Sequence, residues 1–199
     1  PDTSQVGVML PYTPLHHVLL GDVGLPLVMT SGNLSEEPIA RDNDEALRRL
    51  GPLVDAFLWH DRPIHARCDD SVWFVPQAGR QPVRRARGCA PMPVRLPMST
   101  RPTLACGADL KTAYCLTRDQ YAFLSPHLGD MRNLETLDHY AESVGQYRAL
   151  FGVEPQCIAH DMHPDYQTTR YALALPGEHV AVQHHHAHLA ACLADCGSV

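Results

Sequence analysis

The run Cys157-Ile-Ala-His-Asp-Met-His-Pro-Asp-Tyr-Gln-Thr-Thr-Arg-Tyr-Ala-Leu-Ala-Leu-Pro-Gly-Glu-His-Val-Ala-Val-Gln-His-His-His-Ala-His188 decides the fold. Cys157–His160 reads as a short strand and Tyr166–Leu175 as a helix. His179–Gln183 reads as a second strand and His185–Cys196 as a second helix. Just upstream, Asn133 to Phe151 carries the strongest helical pattern in the chain. Its apolar residues Leu134, Leu137, Tyr140, Ala141, Val144, Tyr147 and Leu150 recur at three-four spacing. Asn133 is placed to cap that helix and Gly152 to end it. Strands alternating with helices predict an α/β fold with a mixed sheet.

Working back from this run, Thr103–Cys106 reads as a strand ending at Gly107. Thr112–Thr117 and Tyr121–Leu124 read as a hairpin. Before them, Gly88 to Pro102 holds four prolines. Proline removes a backbone donor and favours extended structure, so this stretch reads as a linker or an edge segment. It places a domain boundary near Pro97. Earlier still, Thr13-Pro14 opens a helix to about Leu20, with Thr as N-cap and Pro at the first helical position. Leu25–Met29 reads as a short buried strand. Asp42 or Asn43 caps a helix to Leu50, and Asp55–His60 reads as another strand. Ser71–Val75 and Gln81–Arg85 form a hairpin turning through Gly79.

Composition sets bounds on function. The chain has 199 residues, 45% apolar and 19% charged, enough for a folded core and unlike a disordered or coiled-coil protein. Sixteen Lys and Arg against 22 Asp and Glu give −6, which argues against a non-specific nucleic-acid or membrane-surface binder. Seven cysteines without a C-x-x-C pair point to a reducing compartment and no zinc ribbon. No signal-peptide pattern is visible, and no apolar run nears the ~20 residues of a membrane span. A cytoplasmic protein is expected. Histidine is in excess: seven of the 13 lie between His160 and His188.

Five motifs could carry chemistry. Thr30-Ser31-Gly-Asn33-Leu-Ser35-Glu-Glu-Pro38 follows an apolar run and is rich in small donors. Such a loop suits phosphate or carboxylate oxygens, or is simply a turn with Asx and Ser caps. Asp69-Asp70-Ser71, with Arg84-Arg85-Ala-Arg87, sets guanidinium forks that can pair with phosphates or with Asp69 and Asp70 themselves. His184 and His188 are four apart, so on a helix they share a face and can reach one divalent metal. His185 and His186 point elsewhere. Two histidines do not complete a site, so carboxylates must come from elsewhere. His160, Asp161 and His163 could supply ligands or a base, with Asp165 read chiefly as the cap of the following helix. Lys111 could touch an anion or lie on the surface.

Taken together these segments resemble the HypF carbamoyltransferases that mature [NiFe]-hydrogenases. The resemblance is carried by Leu10–His17, Met29–Pro38, Arg67–Val72, Arg84–Gly88, Tyr121–Ser125, Leu128–Asp130, His160–Tyr166 and Val182–His188. It implies an internal piece of a longer protein. Residues 1–97 correspond to the C-terminal half of a YrdC-like adenylate-forming domain. Residues 98–199 correspond to the start of a TsaD-like domain of the actin and sugar-kinase (ASKHA) fold.

The resemblance implies this chemistry: carbamate from carbamoyl phosphate is joined to ATP, with Mg, giving carbamoyl-adenylate. The carbamoyl group then passes to the C-terminal cysteine of the partner HypE. Thr30, Ser31, Asn33, Ser35, Ser71, Arg85 and Arg87 would line the adenylate site, and His184 and His188 would bind zinc or iron. The family has Gly-Glu-Leu-Lys-Asn-Thr where this chain has Ala108-Asp109-Leu-Lys111-Thr112-Ala113, so no role is carried to Asp109 or Thr112. Further metal-binding aspartates would lie beyond Val199, so weak metal binding is expected of this chain. A small-molecule O-carbamoyltransferase and a tRNA threonylcarbamoylation enzyme use the same two folds. The acidity of the chain argues against tRNA.

Overall fold

The structure is a computed structural model that describes residues 5–35, 37–77 and 79–196. The chain forms two compact units, residues 1–31 and 32–199. In the first, helix α1 (Pro14–Val23) starts as the sequence dictates. Thr13 accepts a hydrogen bond from the His16 amide, Pro14 opens the first turn, and Gly24 closes it at φ +66°. Leu25–Met29 is not the expected buried strand. It pairs with no other described segment and its side chains face solvent. A strand needs a ladder, and composition alone does not supply one.

In the second unit, helix α2 (Asn43–Leu50) is capped by Asp42, whose carboxylate accepts from the Asp44 and Glu45 amides. A single 3-10 turn follows at Gly51–Leu53. The strand expected at Asp55–His60 does not form. The Phe57 and Trp59 rings stack at 4.6 Å along an unpaired extended segment. Strands β1 (Val72–Phe74) and β2 (Gln81–Arg84) make the expected antiparallel hairpin.

The main sheet contains β3 (Val94–Ala105), β4 (Cys115–Leu124), β5 (Cys157–Asp161) and β6 (Glu178–Val182) in the order β4-β3-β5-β6. β4 is antiparallel to β3, whereas β3, β5 and β6 run parallel, so the sheet is mixed. β3 takes up the later part of the proline stretch, from Val94 through Pro97 and Pro102. Only Thr103–Ala105 of β3 pair with β5, so Pro97 faces no strand on that side. Of the two readings of the stretch, residues 94–102 take the edge-segment one, paired on a single side, as the missing donors of proline permit.

The hairpin read at 112–124 is instead the single strand β4. Asp119 takes φ +54° and its carbonyl accepts a hydrogen bond from Thr100 Oγ1 at 3.0 Å. The ladder shifts register on both sides of Thr100, so the polar Arg118-Asp119-Gln120 run marks an irregularity within the strand and not its end.

Helices α3 (Leu134–Phe151), α4 (Gln167–Leu173) and α5 (His184–Cys196) complete the unit. Tyr140, Val144 and Tyr147 of α3 pack with Leu104, Leu116, Phe123 and Ile158 of the sheet. Leu134 and Leu150, also on the apolar repeat, stay exposed, and Thr136 and Ser143 are buried in that helix instead. The two most buried tyrosine hydroxyls are paired: Tyr114 Oη donates to the Ser143 carbonyl and Tyr140 Oη to the Cys106 carbonyl, each at 2.7 Å. Burial pushes the Cys106 and Cys115 thiols up to about 11, as for inert core residues. No helix among the described residues is long and apolar enough to cross a membrane.

Candidate functional site

The parallel register of β5 and β6 builds the histidine site. It sets Asp161, the last residue of β5, beside Val182, the last residue of β6. Gln183 follows, and α5 begins at His184. The Gln183 side-chain carbonyl accepts from the His185 and His186 amides at 2.6 and 3.1 Å, which satisfies two of the open donors of the new helix. His184 Nδ1 then lies 2.6 Å from Asp161 Oδ2. A carboxylate accepts only, so Nδ1 carries a proton, and in the neutral ring that leaves the lone pair on Nε2 of His184. That Nε2 stands 3.1 Å from His188 Nε2, one helical turn on. His185 is turned away and takes a hydrogen bond from the Gln183 amide at 2.8 Å.

This pair fits a divalent ion. Two nitrogens bound at about 2.1 Å to one tetrahedral or octahedral ion lie ~3.0–3.4 Å apart, and the observed separation falls inside that span. Among the described residues no third His, Cys, Asp or Glu joins them in a metal-binding group.

Asp161 is built into its place. Its Oδ1 accepts from the His163 amide at 2.9 Å, and its side chain is only 10% exposed. Burial raises its pKa. The hydrogen bonds from His184 and the His163 amide, with the charges of both rings, outweigh burial and hold it below the ordinary carboxylate value. His160 turns its Nδ1 to the Asp161 carbonyl, and His163 stacks on Tyr166. Neither reaches the His184–His188 pair by a hydrogen bond.

Asp165 is not the cap of α4. It pairs with Arg170 on the surface at 3.5 Å. The cap comes from Asp109, across the fold, whose two carboxylate oxygens accept from the Gln167 and Thr168 amides at 2.9 and 3.0 Å. Sequence reading missed Asp109 because its partners are 58 and 59 residues away. Lys111 adopts φ +50° and its amide donates to Asp130 at 2.7 Å.

The nucleotide candidates divide into groups. Thr30 and Ser31 are exposed at the end of the first unit. Ser35 is exposed in the second unit. Asn33 is half-buried and anchored locally, its amide donating to the Leu34 and Glu37 carbonyls at 2.8 and 3.0 Å. Its Oδ1 is buried without a partner. Ser71 and Arg87 come together: Ser71 Oγ donates to the Arg87 carbonyl and accepts from the Ala86 amide, each at 2.9 Å. Arg87 sits 3.4 Å from Asp70. Arg85 donates to the Met92 carbonyl at 3.3 Å, and its buried Nε has no partner.

Known proteins can now be set beside this geometry. Residues 98–195 match the family model described as the HypF Kae1-like domain, and residues 1–86 match the Sua5, YciO and YrdC model described as telomere recombination. The carbamoyltransferase HypF of Rhodobacter capsulatus is 46% identical over 202 residues, covering 98% of this chain. The chain belongs to the HypF family.

Carbamoyltransferase HypF2 of Cupriavidus necator is 43% identical over the whole chain. The chain spans only 27% of the length of each of these two relatives. The crystal structure of full-length HypF in the phosphate- and nucleotide-bound form superposes with a TM-score of 0.92 at 45% identity, covering 96% of this chain and 31% of that one. The structure of HypF from T. kodakarensis superposes at 0.89 with 34% identity, covering 96% and 26%.

Proposed function

We propose that this HypF-family segment contributes to two sites of an ATP-dependent carbamoyl transfer. The first, within a YrdC-like part at residues 1–97, joins carbamate to the α-phosphate of ATP and releases pyrophosphate. The second, within a TsaD-like part at residues 98–199, passes the carbamoyl carbon to a cysteine thiol, with AMP as leaving group. Substrates are carbamoyl phosphate and ATP with Mg, and the acceptor is the C-terminal cysteine of a HypE-type protein. The family-model limits at 1–86 and 98–195 support the two-part division, and the nucleotide-bound relative supports the first site.

The observation that carries the reading is the pair His184 and His188, with facing Nε2 atoms and Asp161 behind. Zinc or iron held there supplies Lewis-acid polarisation of the carbamoyl carbonyl. The residues of the chain do the rest. Asp161 keeps the proton on Nδ1 of His184. The unpartnered Oδ1 of Asn33 accepts from a ligand N–H. Thr30, Ser31 and Ser35 offer short donors, and the guanidiniums of Arg85 and Arg87, the latter held at its carbonyl by Ser71, offer donors for phosphate oxygens.

The test uses a full-length family protein carrying this segment, supplied with ATP, carbamoyl phosphate and a HypE C-terminal peptide. His184→Ala with His188→Ala should abolish the carbamoyl mass increment on the peptide cysteine while pyrophosphate exchange into ATP persists. Asn33→Ala should collapse that exchange. Carbamoylation that survives loss of both histidines refutes the transfer-site assignment.

A further inference from the structure

The loop that carries Asn33 is tied to helix α3 by a relay of charges. α3 lies in the segment matched by the Kae1-like model, whereas the loop lies in the segment matched by the YrdC-like model. Glu142, at the middle of α3, accepts from Arg41 at 2.6 Å and lies 3.8 Å from Arg67. Arg67 donates to the Ile39 carbonyl at 2.7 Å and reaches both oxygens of Glu45 at 3.1 Å. Glu45 accepts from the Arg41 amide and pairs with Arg49 at 2.5 Å. Arg49 pairs in turn with Glu37, whose carbonyl holds the Asn33 amide.

The relay is three arginines against three glutamates. Its inner members are 15–21% exposed, and one guanidinium grips a carboxylate with both oxygens engaged. Lone surface pairs contribute little, but partly buried networks of this kind fix geometry. Beside it lies an open cleft of 610 Å³ lined by Leu34, Glu37, Glu45 and Arg49, with Glu135 from α3. Among the described residues the buried apolar cluster includes none from 32–53, so on that side charge is left to hold the loop to the helix.

We propose that Glu142 is a positioning residue for the adenylate site. Through Arg41 and Arg67 it sets the 33–39 loop from a helix that belongs to the other half of the chain. The proposal rests on the reading that this loop binds the nucleotide. Without the Glu142 carboxylate, Arg41 and Arg67 face each other with one anion fewer, and the pull on Glu45 shifts away from Arg49.

The experiment compares Glu142→Gln, Glu142→Arg and the swap Glu142→Arg with Arg41→Glu in a full-length family protein. The readout is carbamoyl-phosphate-dependent pyrophosphate exchange. Glu142→Gln should raise the KM for ATP about five- to tenfold with kcat within about twofold, the size of a coupled network pair. Glu142→Arg should raise it further, and the swap should restore most of the loss. Hydrogen exchange at the Glu37 and Ala40 amides, which bond to Leu34 and Gly32, should speed up in Glu142→Gln even where assay signal is poor. An unchanged KM, a swap that fails to rescue, or unchanged exchange at both amides overturns the proposal. Asn33→Ala separates the two ideas. If it leaves nucleotide KM and exchange intact, the loop assignment itself has failed. If it collapses exchange while Glu142→Gln does nothing, only the positioning role is lost.

Discussion

Replacing Gly107 with alanine tests how tightly the end of β3 is built. Gly107 sits at φ +72°, and an added Cβ would lie 2.1 Å from the Ala113 carbonyl oxygen and 3.3 Å from its carbon. Real Cβ contacts do not go below 3.0 Å, so one backbone must move by about 1 Å. Neither moves freely. The Cys106 amide bonds to Ala159 and its carbonyl takes the Tyr140 hydroxyl, while the Gly107 carbonyl takes the Thr168 hydroxyl. Left-handed backbone costs a residue with a side chain roughly 1–2 kcal/mol. Forcing a well-packed site open adds about 1–3 kcal/mol. Gly107→Ala should therefore cost about 2–5 kcal/mol. Gly152, which ends α3 at φ +59°, meets nothing within 4 Å. Gly152→Ala should lose only the backbone share, about 1–2 kcal/mol. A gap of about 2 kcal/mol is ~4–8 °C in Tm for a chain of this size. Urea denaturation followed by far-UV circular dichroism measures both variants against the parent. Equal losses in the two variants would refute the steric account of Gly107.

Two further outcomes are expected. Burial pushes His139 down to about 4; the Arg67 and Arg41 charges add to this and Glu142 opposes it. Protonation thus opposes folding, so stability held above pH ~6.5 should drain by about 1–3 kcal/mol as pH falls towards 4. Glu45, Glu142 and Asp161 are held low, so their losses come only below the ordinary carboxylate range. His139→Gln should flatten the upper part of the profile, and an NMR titration placing His139 near 6.5 would dismiss the idea. Asp161→Asn should weaken zinc binding at His184 and His188 about 10- to 100-fold in a chelator competition. Asp165→Asn, which removes a carboxylate paired with the surface Arg170, should leave it unchanged. Equal affinity in Asp161→Asn and the parent counts against the orienting role.

Local signals in the sequence carried far. The caps at Thr13, Asp42 and Asn133 all form, because each depends on residues within three positions. The i, i+4 spacing of His184 and His188 delivered their facing nitrogens for the same reason. What sequence reading could not supply was partnership at a distance. Leu25–Met29 and Asp55–His60 have strand composition and, among the described residues, no strand to pair with. Asp109 reads as a loop residue until α4 arrives 58 positions later. The Asp161–His184 contact was within reach. Had β5 and β6 been aligned in parallel, the end of one strand would have fallen beside the start of the helix after the other.

β3 has a mechanical consequence. It starts at Val94, close after the β1–β2 hairpin, and ends at Ala105, where its paired neighbours lead to the histidine site. A laddered strand resists bending and transmits tension along its length. The ladder shifts register between Arg95 and Thr100, so the stretch around residue 97 is the loosely paired part of the strand and Thr103–Ala105, paired on both sides, is the stiff part. Torque applied to residues 72–93 would therefore be taken up first at that irregularity, and the triply stranded Thr103–Ala105 level would hold the histidine site still.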